Sequence, residues 1–359
     1  MRHPIAAKAP VVVKVGSSSL TGGGGGLDDS AIGAVIDMVV EAIGAGHPTV
    51  LVTSGAVAAG LPALKLSKRP ADLAGLQVAA AVGQGFLMER YASGFKSRDI
   101  IAGQVLLTKD VLGNRDQYLN ARAALARMLG LGIVPVVNEN DTVTVDELRL
   151  GDNDRLAALA SHLVAAELLL LLTDTEGLYT ADPRLVEGQF LSEVGYSDAV
   201  LDGLSGSGPL GSGGVAGKVA AARMAAHSGV PTIIASARTP NLIKLALAGE
   251  PVGTWVDPRP NRLSARKLWI AFGLEATGSV VVDAGAVTAL VENDRSLLPV
   301  GITAIRGTFG PESAVEVLDP DGRVVGKGLA AIESTELSGL IGKKGAREAI
   351  HRDDLVILR

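Results

Sequence analysis

The sequence predicts an α/β fold, a mostly parallel central sheet sandwiched by helices, followed by a small mainly β module. Three observations predict it. Apolar, β-branched runs alternate with longer stretches of helical periodicity through residues 1–257. At 359 residues the chain exceeds the usual size of a single domain. After the segment Asp257-Pro258-Arg259-Pro260-Asn261-Arg262 the alternation stops, and short strands separated by turns take over.

Strands are predicted over 11–15, 50–53, 100–106, 133–137, 168–173 and 232–235, because each is a short, nearly continuous apolar run of the kind that parallel sheets bury on both faces. Between them the apolar spacing predicts helices over 31–43, 73–91, 117–129, 154–163 and 218–227. The predicted boundaries are a first domain over 1–257, a linker over 258–265 and a second domain over 266–359. Within the second, strands are predicted over 278–282, 301–306, 314–318 and 355–358. The tract from Gly22 to Gly26 is a flexible loop by composition and is assigned no role.

Composition removes several function classes. With no cysteine there is no disulfide framework, thiolate nucleophile or cysteine-bound metal centre. A net charge of −5 gives no electrostatic reason to expect nucleic acid or an anionic membrane as the main partner. The first ten residues lack the apolar core of a signal peptide and the run 168–172 is too short to span a bilayer, so a cytoplasmic protein is expected. Five histidines, at 3, 47, 162, 227 and 351, show no metal-ligand spacing and read as structural or surface residues.

The ends of the predicted strands carry the chemistry. Asn138-Glu139-Asn140-Asp141 follows the apolar run 133–137, and Gly151-Asp152-Asn153-Asp154 opens the next helix. Six of these eight residues are Asp or Asn, which reads either as an acidic solvated loop or as apparatus for a polar ligand at the carboxyl edge of a sheet. Lys14 lies inside the first apolar strand, where it is either the guard of a sheet edge or a functional charge, since an unpaired buried ammonium costs several kcal/mol. Gly16-Ser17-Ser18-Ser19 follows it with small residues whose N–H groups suit an anion. Ser54, in Thr53-Ser54-Gly55-Ala56, is a simple helix cap or part of a site. Gly211-Ser212-Gly213-Gly214-Val215-Ala216-Gly217-Lys218 enters a helix, a start that favours phosphate. It is no Walker A loop, because Ser212 stands where glycine is needed and Val219 where Ser or Thr is needed. Gly206-Ser207-Gly208-Pro209-Leu210-Gly211 matches the dinucleotide spacing but follows no buried strand.

Taken in order, VVKVGSSSL, TSGA, the NEND and GDND pair, TDTEGLYTADPR and GSGGVAGK resemble the amino-acid kinase family, and the tail resembles the PUA module through Lys267-Leu268-Trp269-Ile270, Val282-Asp283-Ala284-Gly285-Ala286, Ser296-Leu297-Leu298-Pro299 and His351-Arg352-Asp353-Asp354. The resemblance implies an ATP-dependent phosphotransferase with a carboxylate acceptor. NEND, GDND and the tail point to the side chain of L-glutamate, the entry to proline biosynthesis, with N-acetylglutamate or carbamate as rival acceptors on the same scaffold. It implies that Lys14 and Lys218 flank the transferred phosphoryl group while Asp154 organises both. Ser54, Asp141 and Asn153 match the family's contacts to the amino-acid substrate, with Asn138 and Asp152 beside them. Lys14, Thr173, Asp174 and the run Ser212, Gly213, Gly214, Val215, Ala216, Gly217, Lys218 match the nucleotide site. Mg²⁺ is expected with ATP, held by phosphate oxygens and water rather than by a protein cage. The family's nucleotide loop reads closer to TGGM-x-TK, so Ser212, Val215 and Gly217 depart from it. Homo-oligomers, dimer or tetramer, and feedback inhibition by L-proline are further family expectations. RNA binding by the tail is disfavoured, because residues 262–359 hold 12 Lys or Arg against 13 Asp or Glu, a formal charge of −1.

Overall fold

The computed structural model describes residues 2–22, 26–108, 111, 114–143, 152–181, 188–204 and 214–358. Contacts between Cα atoms divide the chain into two compact units, Met1–Val111 with Arg115–Arg262, and Leu112–Asn114 with Leu263–Arg359.

In the first unit the elements run β1 Val11–Val15, α1 Ser17–Leu20, α2 Asp29–Gly44, β2 Thr49–Thr53, α3 Ala56–Ala63, α4 Leu73–Lys96, β3 Ala102–Leu107, α5 Arg115–Gly130 and β4 Val134–Glu139. They continue through α6 Asp152–Leu163, β5 Leu168–Thr173, β6 Leu178–Tyr179, β7 Phe190–Leu191, β8 Glu193–Val194, α7 Val200–Leu204, α8 Val215–His227, β9 Thr232–Ser236, α9 Leu242–Ala248 and β10 Thr254–Val256. The sheet order is β3-β4-β2-β1-β5-β9-β10-β8. Pairing is parallel from β3 across to β9, and β10 runs antiparallel to β9. From β1 the chain first adds strands on one side, through β2, and later on the other, through β5. The loops leaving β1 and β5 therefore diverge, the topological switch where a ligand crevice opens at the carboxyl edge.

β1 sits in the middle of this sheet, which removes the edge-guard reading of Lys14. Strand alternation sends Val11, Val13 and Val15 into one core with Ile32, Val35, Ile36 and Val39 of α2 and with Leu87 and Tyr91 of α4. Lys14 falls on the opposite face, the side covered by α6. The α2 residues follow the i, i+3, i+4, i+7 spacing, and Asp28 caps that helix by accepting hydrogen bonds from the Ser30 and Ala31 N–H groups.

One expectation fails in detail. The strand predicted over 100–106 as buried on both faces is β3, and most of its residues are partly or fully exposed. It is an edge strand, so it keeps the apolar composition of its neighbours without a second neighbour to cover it.

α3 and α4 approach at backbone contact. A Cβ added at Gly83 would lie 1.8 Å from the Ala56 carbonyl oxygen, and one added at Gly60 would lie 2.0 Å from that of Ala79. Only glycine fits at either place. The contact seats α4 against the end of β2, because α3 starts two residues after it. Gly55, at φ +104°, makes that turn in the left-handed region.

The second unit comprises α10 Ala265–Leu268, β11 Gly278–Val282, α11 Ala284–Asn293, β12 Ile302–Gly307, β13 Ala314–Leu318, β14 Val324–Leu329, α12 Ser334–Leu340 and β15 Leu355–Ile357. Its sheet order is β12-β11-β13-β14-β15, with β11 and β13 parallel and the other pairs antiparallel. Val280, Val282, Leu290, Val315, Val317 and Val325 form its core. Lys327 of β14 is buried, and its ammonium donates to the carbonyls of Ala271 and Leu274.

Gly83→Ala is expected to destabilise the first unit by about 1–3 kcal/mol, the range for overpacking a close contact. Thermal unfolding checks this, and a melting temperature equal to that of the parent chain would contradict the contact.

Candidate active site

The carboxyl edge of the sheet gathers two polar clusters side by side. The first is built from three elements. Lys14 comes from β1, Asp154 from the first turn of α6, and Lys218 from the first turn of α8, which packs on α6. Lys14 Nζ lies 2.6 Å from Asp154 Oδ1, and Lys218 Nζ donates to Asp154 Oδ2 at 3.2 Å. All three are buried, with relative exposures of 4% for Lys14, 0% for Asp154 and 9% for Lys218.

Two ammonium groups thus share one carboxylate. The pairing sets an ammonium beside each carboxylate oxygen but leaves a surplus positive charge in a place with little water, where Coulomb terms are several times stronger than in bulk solvent. Such a place favours an anion. Burial pulls the Lys14 pKa below its ordinary lysine value; the Asp154 carboxylate opposes that shift, and the Lys218 charge adds to it.

The second cluster is a chain of side-chain amides. Ser54 follows β2, and its N–H donates to the Val15 carbonyl at 3.2 Å, tying the ends of β1 and β2 together. Asn153, the neighbour of Asp154, donates through Nδ2 to Ser54 Oγ at 2.9 Å and to Asn138 Oδ1 at 3.1 Å. Asn138, next to last in β4, is almost fully buried, accepts from the Glu139 N–H at 2.9 Å and donates to Gln84 Oε1 at 2.7 Å. Thr53 shares a 2.9 Å hydrogen bond with the Tyr91 hydroxyl, whose own pKa is raised by burial, so α4 also braces the end of β2 from beneath.

Asp141 occupies the turn after β4, and its charge opposes the lowering of the Arg69 pKa by burial. Thr173 ends β5 and donates to Asp174 Oδ1 at 3.2 Å, with Asp174 exposed. Gly214 is the N-cap of α8 without a side-chain cap. Helix geometry then leaves the leading N–H groups at Val215, Ala216 and Gly217 without intrahelical partners, next to the cluster that holds Lys218. Asp152 opens α6, and its side chain lies outside the described residues, as do Ser212, Gly213, Gly151 and the whole of 205–213 with its dinucleotide-like spacing. The structure therefore brings Lys14, Asp154 and Lys218 into one contact set, and Ser54, Asn138 and Asn153 into another.

Gln84 and Tyr91 were not legible in the sequence. A single glutamine in Ala81-Val82-Gly83-Gln84-Gly85 looks like any polar residue on an amphipathic helix, and only the flanking glycines hint at a close approach. His162 and His227 belong to neither of these two contact sets. Burial first, and neighbouring arginines second, push both down to about 4, so they are neutral near pH 7.

Nitrogen-15 NMR titration of lysine Nζ is expected to place Lys14 below 10.5. Replacing Asp154 by Asn removes the opposing carboxylate and should lower the Lys14 value further. A Lys14 value at or above 10.5 would contradict burial as the dominant influence on that ammonium.

Comparison with known proteins places this arrangement. Residues 9–236 match the amino acid kinase family, and residues 278–351 match the PUA domain. A relative named "Glutamate 5-kinase" from Marinomonas sp. (strain MWYL1) is 44% identical over 100% of this chain and 100% of its own. Another of that name, from Frankia casuarinae, is 47% identical over 97% of this chain and 96% of its own. Among solved structures, the UMP kinase of Bacillus anthracis superposes with a TM-score of 0.50, covering 70% of this chain and 97% of that one at 12% identity. At that identity the likeness concerns the fold alone.

Proposed function

Because the chain belongs to the amino acid kinase family, we propose that it works as a glutamate 5-kinase, transferring the γ-phosphoryl group of ATP to the side-chain carboxylate of L-glutamate to give L-glutamyl 5-phosphate and ADP. The observation that carries the reading is the buried pair of ammonium groups sharing the single carboxylate of Asp154.

The chemistry needs no base. A glutamate side chain, with a reference pKa of about 4.3, is ionised several hundredfold over its acid form at pH 7. Its oxygen attacks the γ-phosphorus, the bond to the bridging β–γ oxygen breaks, and ADP leaves without any proton changing hands. The obstacle is an anion approaching an anion. Alignment and charge neutralisation are then the main tasks of the protein. Lys14 and Lys218 bind the transferring group from two sides, Asp154 keeps both ammonium groups aimed at it, and the leading N–H groups of α8 add partial positive charge. Thr173, Asp174 and the loop from Ser212 into α8 take the nucleotide, and Mg²⁺ bound with ATP would add positive charge at its phosphates. Ser54, Asn138 and Asn153 hold the amino acid, with Asp141 suited to its ammonium and Asp152 beside it.

The tail is assigned a regulatory or assembly role rather than RNA binding, on its near-neutral charge. A homo-oligomer, a cytoplasmic location and inhibition by L-proline complete the reading on the family resemblance.

With ATP, Mg²⁺ and hydroxylamine, L-glutamate is expected to yield a hydroxamate. A signal with N-acetylglutamate alone would contradict the proposal. Lys14→Ala and Lys218→Ala should each lose about 10²- to 10³-fold in turnover, by analogy with removal of one oxyanion contact, while circular dichroism stays that of a folded chain. Ordinary turnover in either would contradict the roles given to the lysines.

A further inference from the structure

The amide chain at the carboxyl edge has a fixed direction. The Glu139 N–H can only donate, so the Asn138 atom that it meets at 2.9 Å is the carbonyl oxygen. Asn138 Nδ2 must then face Gln84, which presents Oε1 to it at 2.7 Å. The same Asn138 oxygen meets Asn153 at 3.1 Å, so Asn153 presents Nδ2 there. One backbone amide thereby sets the orientation of three side chains, including amides that could otherwise be flipped end for end.

Two atoms are left over. Gln84 Nε2 and Asn153 Oδ1 are buried and have no hydrogen-bond partner among the described residues. One is a donor and the other an acceptor. Buried polar atoms without partners are costly, about 1–3 kcal/mol each, and in a native fold they call for an explanation. The two belong to one connected network that also includes Ser54 and adjoins Asp154 through the chain. An orphan donor paired with an orphan acceptor matches the head group of an α-amino acid, whose carboxylate only accepts and whose ammonium only donates.

We propose that Gln84 is a substrate-binding residue. Its Nε2 donates to a carboxylate oxygen of the amino-acid head group, while Asn153 Oδ1 accepts from the ammonium. This rests on the kinase reading above, with L-glutamate as the acceptor. The backbone contact of Gly83 with Ala56 is what brings Gln84 to the site, since it seats this turn of α4 against the start of α3 beside Ser54.

Gln84→Glu separates the two duties of the side chain. The carboxylate still accepts from Asn138 Nδ2, so the network survives, but the donor is gone and a negative charge faces the substrate. The expected result is a rise of about 10-fold or more in the KM for L-glutamate, the loss associated with a hydrogen bond to a charged group, with the KM for ATP within about twofold of the parent. Gln84→Met, of similar shape and without donors, should also raise the glutamate KM, by about fivefold and less than Gln84→Glu does, so it carries the test if the Glu variant does not fold, and a parent-like glutamate KM in it would then overturn the proposal. A Gln84→Glu enzyme with the parent's glutamate KM would overturn the proposal, and so would equal rises for both substrates. The unmutated enzyme is the control: failure of glutamate-dependent turnover there defeats the activity itself, a different result from parent-like kinetics in the variant.

Discussion

One carboxylate holds the site together. Asp154 has no exposed surface, and each of its oxygens faces a lysine ammonium drawn from a different part of the chain. Charges so deeply buried are tolerated only when paired, and removing one member of a buried ion pair typically costs about 3–5 kcal/mol. The pairing here is deliberately incomplete in charge: two positive groups meet one negative. Structure alone would be served as well by an apolar contact. The surplus is what makes the cluster suited to a phosphoryl group, and the sheet topology puts it at the switch point where a ligand has room to enter.

The elements around Asp154 are arranged to keep that carboxylate between its partners. β1 is central, so Lys14 cannot escape to solvent along a sheet edge. α6 starts at the carboxyl edge with Asn153 and Asp154 in consecutive positions, which makes one helix turn serve both the amide chain and the lysine pair. On the far side, the glycine contact between α3 and α4 and the Tyr91–Thr53 hydrogen bond fix the end of β2 that presents Ser54. The proposed substrate and phosphoryl subsites are therefore set by the same few strand ends.

Much of this was legible in the sequence, and the exceptions have physical reasons. β1, β5, β11 and β13 have the predicted limits, because continuous apolar runs in central strands leave little freedom at their ends. β14 escaped notice. Its sequence VVGKGL breaks the apolar pattern with two glycines and a lysine, yet Gly326 is needed where the Val356 carbonyl would lie 2.5 Å from an added Cβ, and Lys327 is buried against carbonyls. The lysine pair could be named from motifs, whereas its sharing of one carboxylate is a three-dimensional fact linking positions 14, 154 and 218. Gln84 gave no signal beyond its flanking glycines, since the role proposed for it depends on an amide orientation dictated by a backbone N–H fifty-five residues away, at Glu139.

The most direct measurement is a structure of the protein bound to L-glutamate, Mg²⁺ and a non-hydrolysable ATP analogue. The account predicts both lysine ammonium groups within hydrogen-bond reach of the γ-phosphoryl oxygens, with Asp154 still between them. A γ-phosphoryl group bound away from Lys14 and Lys218, or the two lysines parted from Asp154 in the complex, would contradict it.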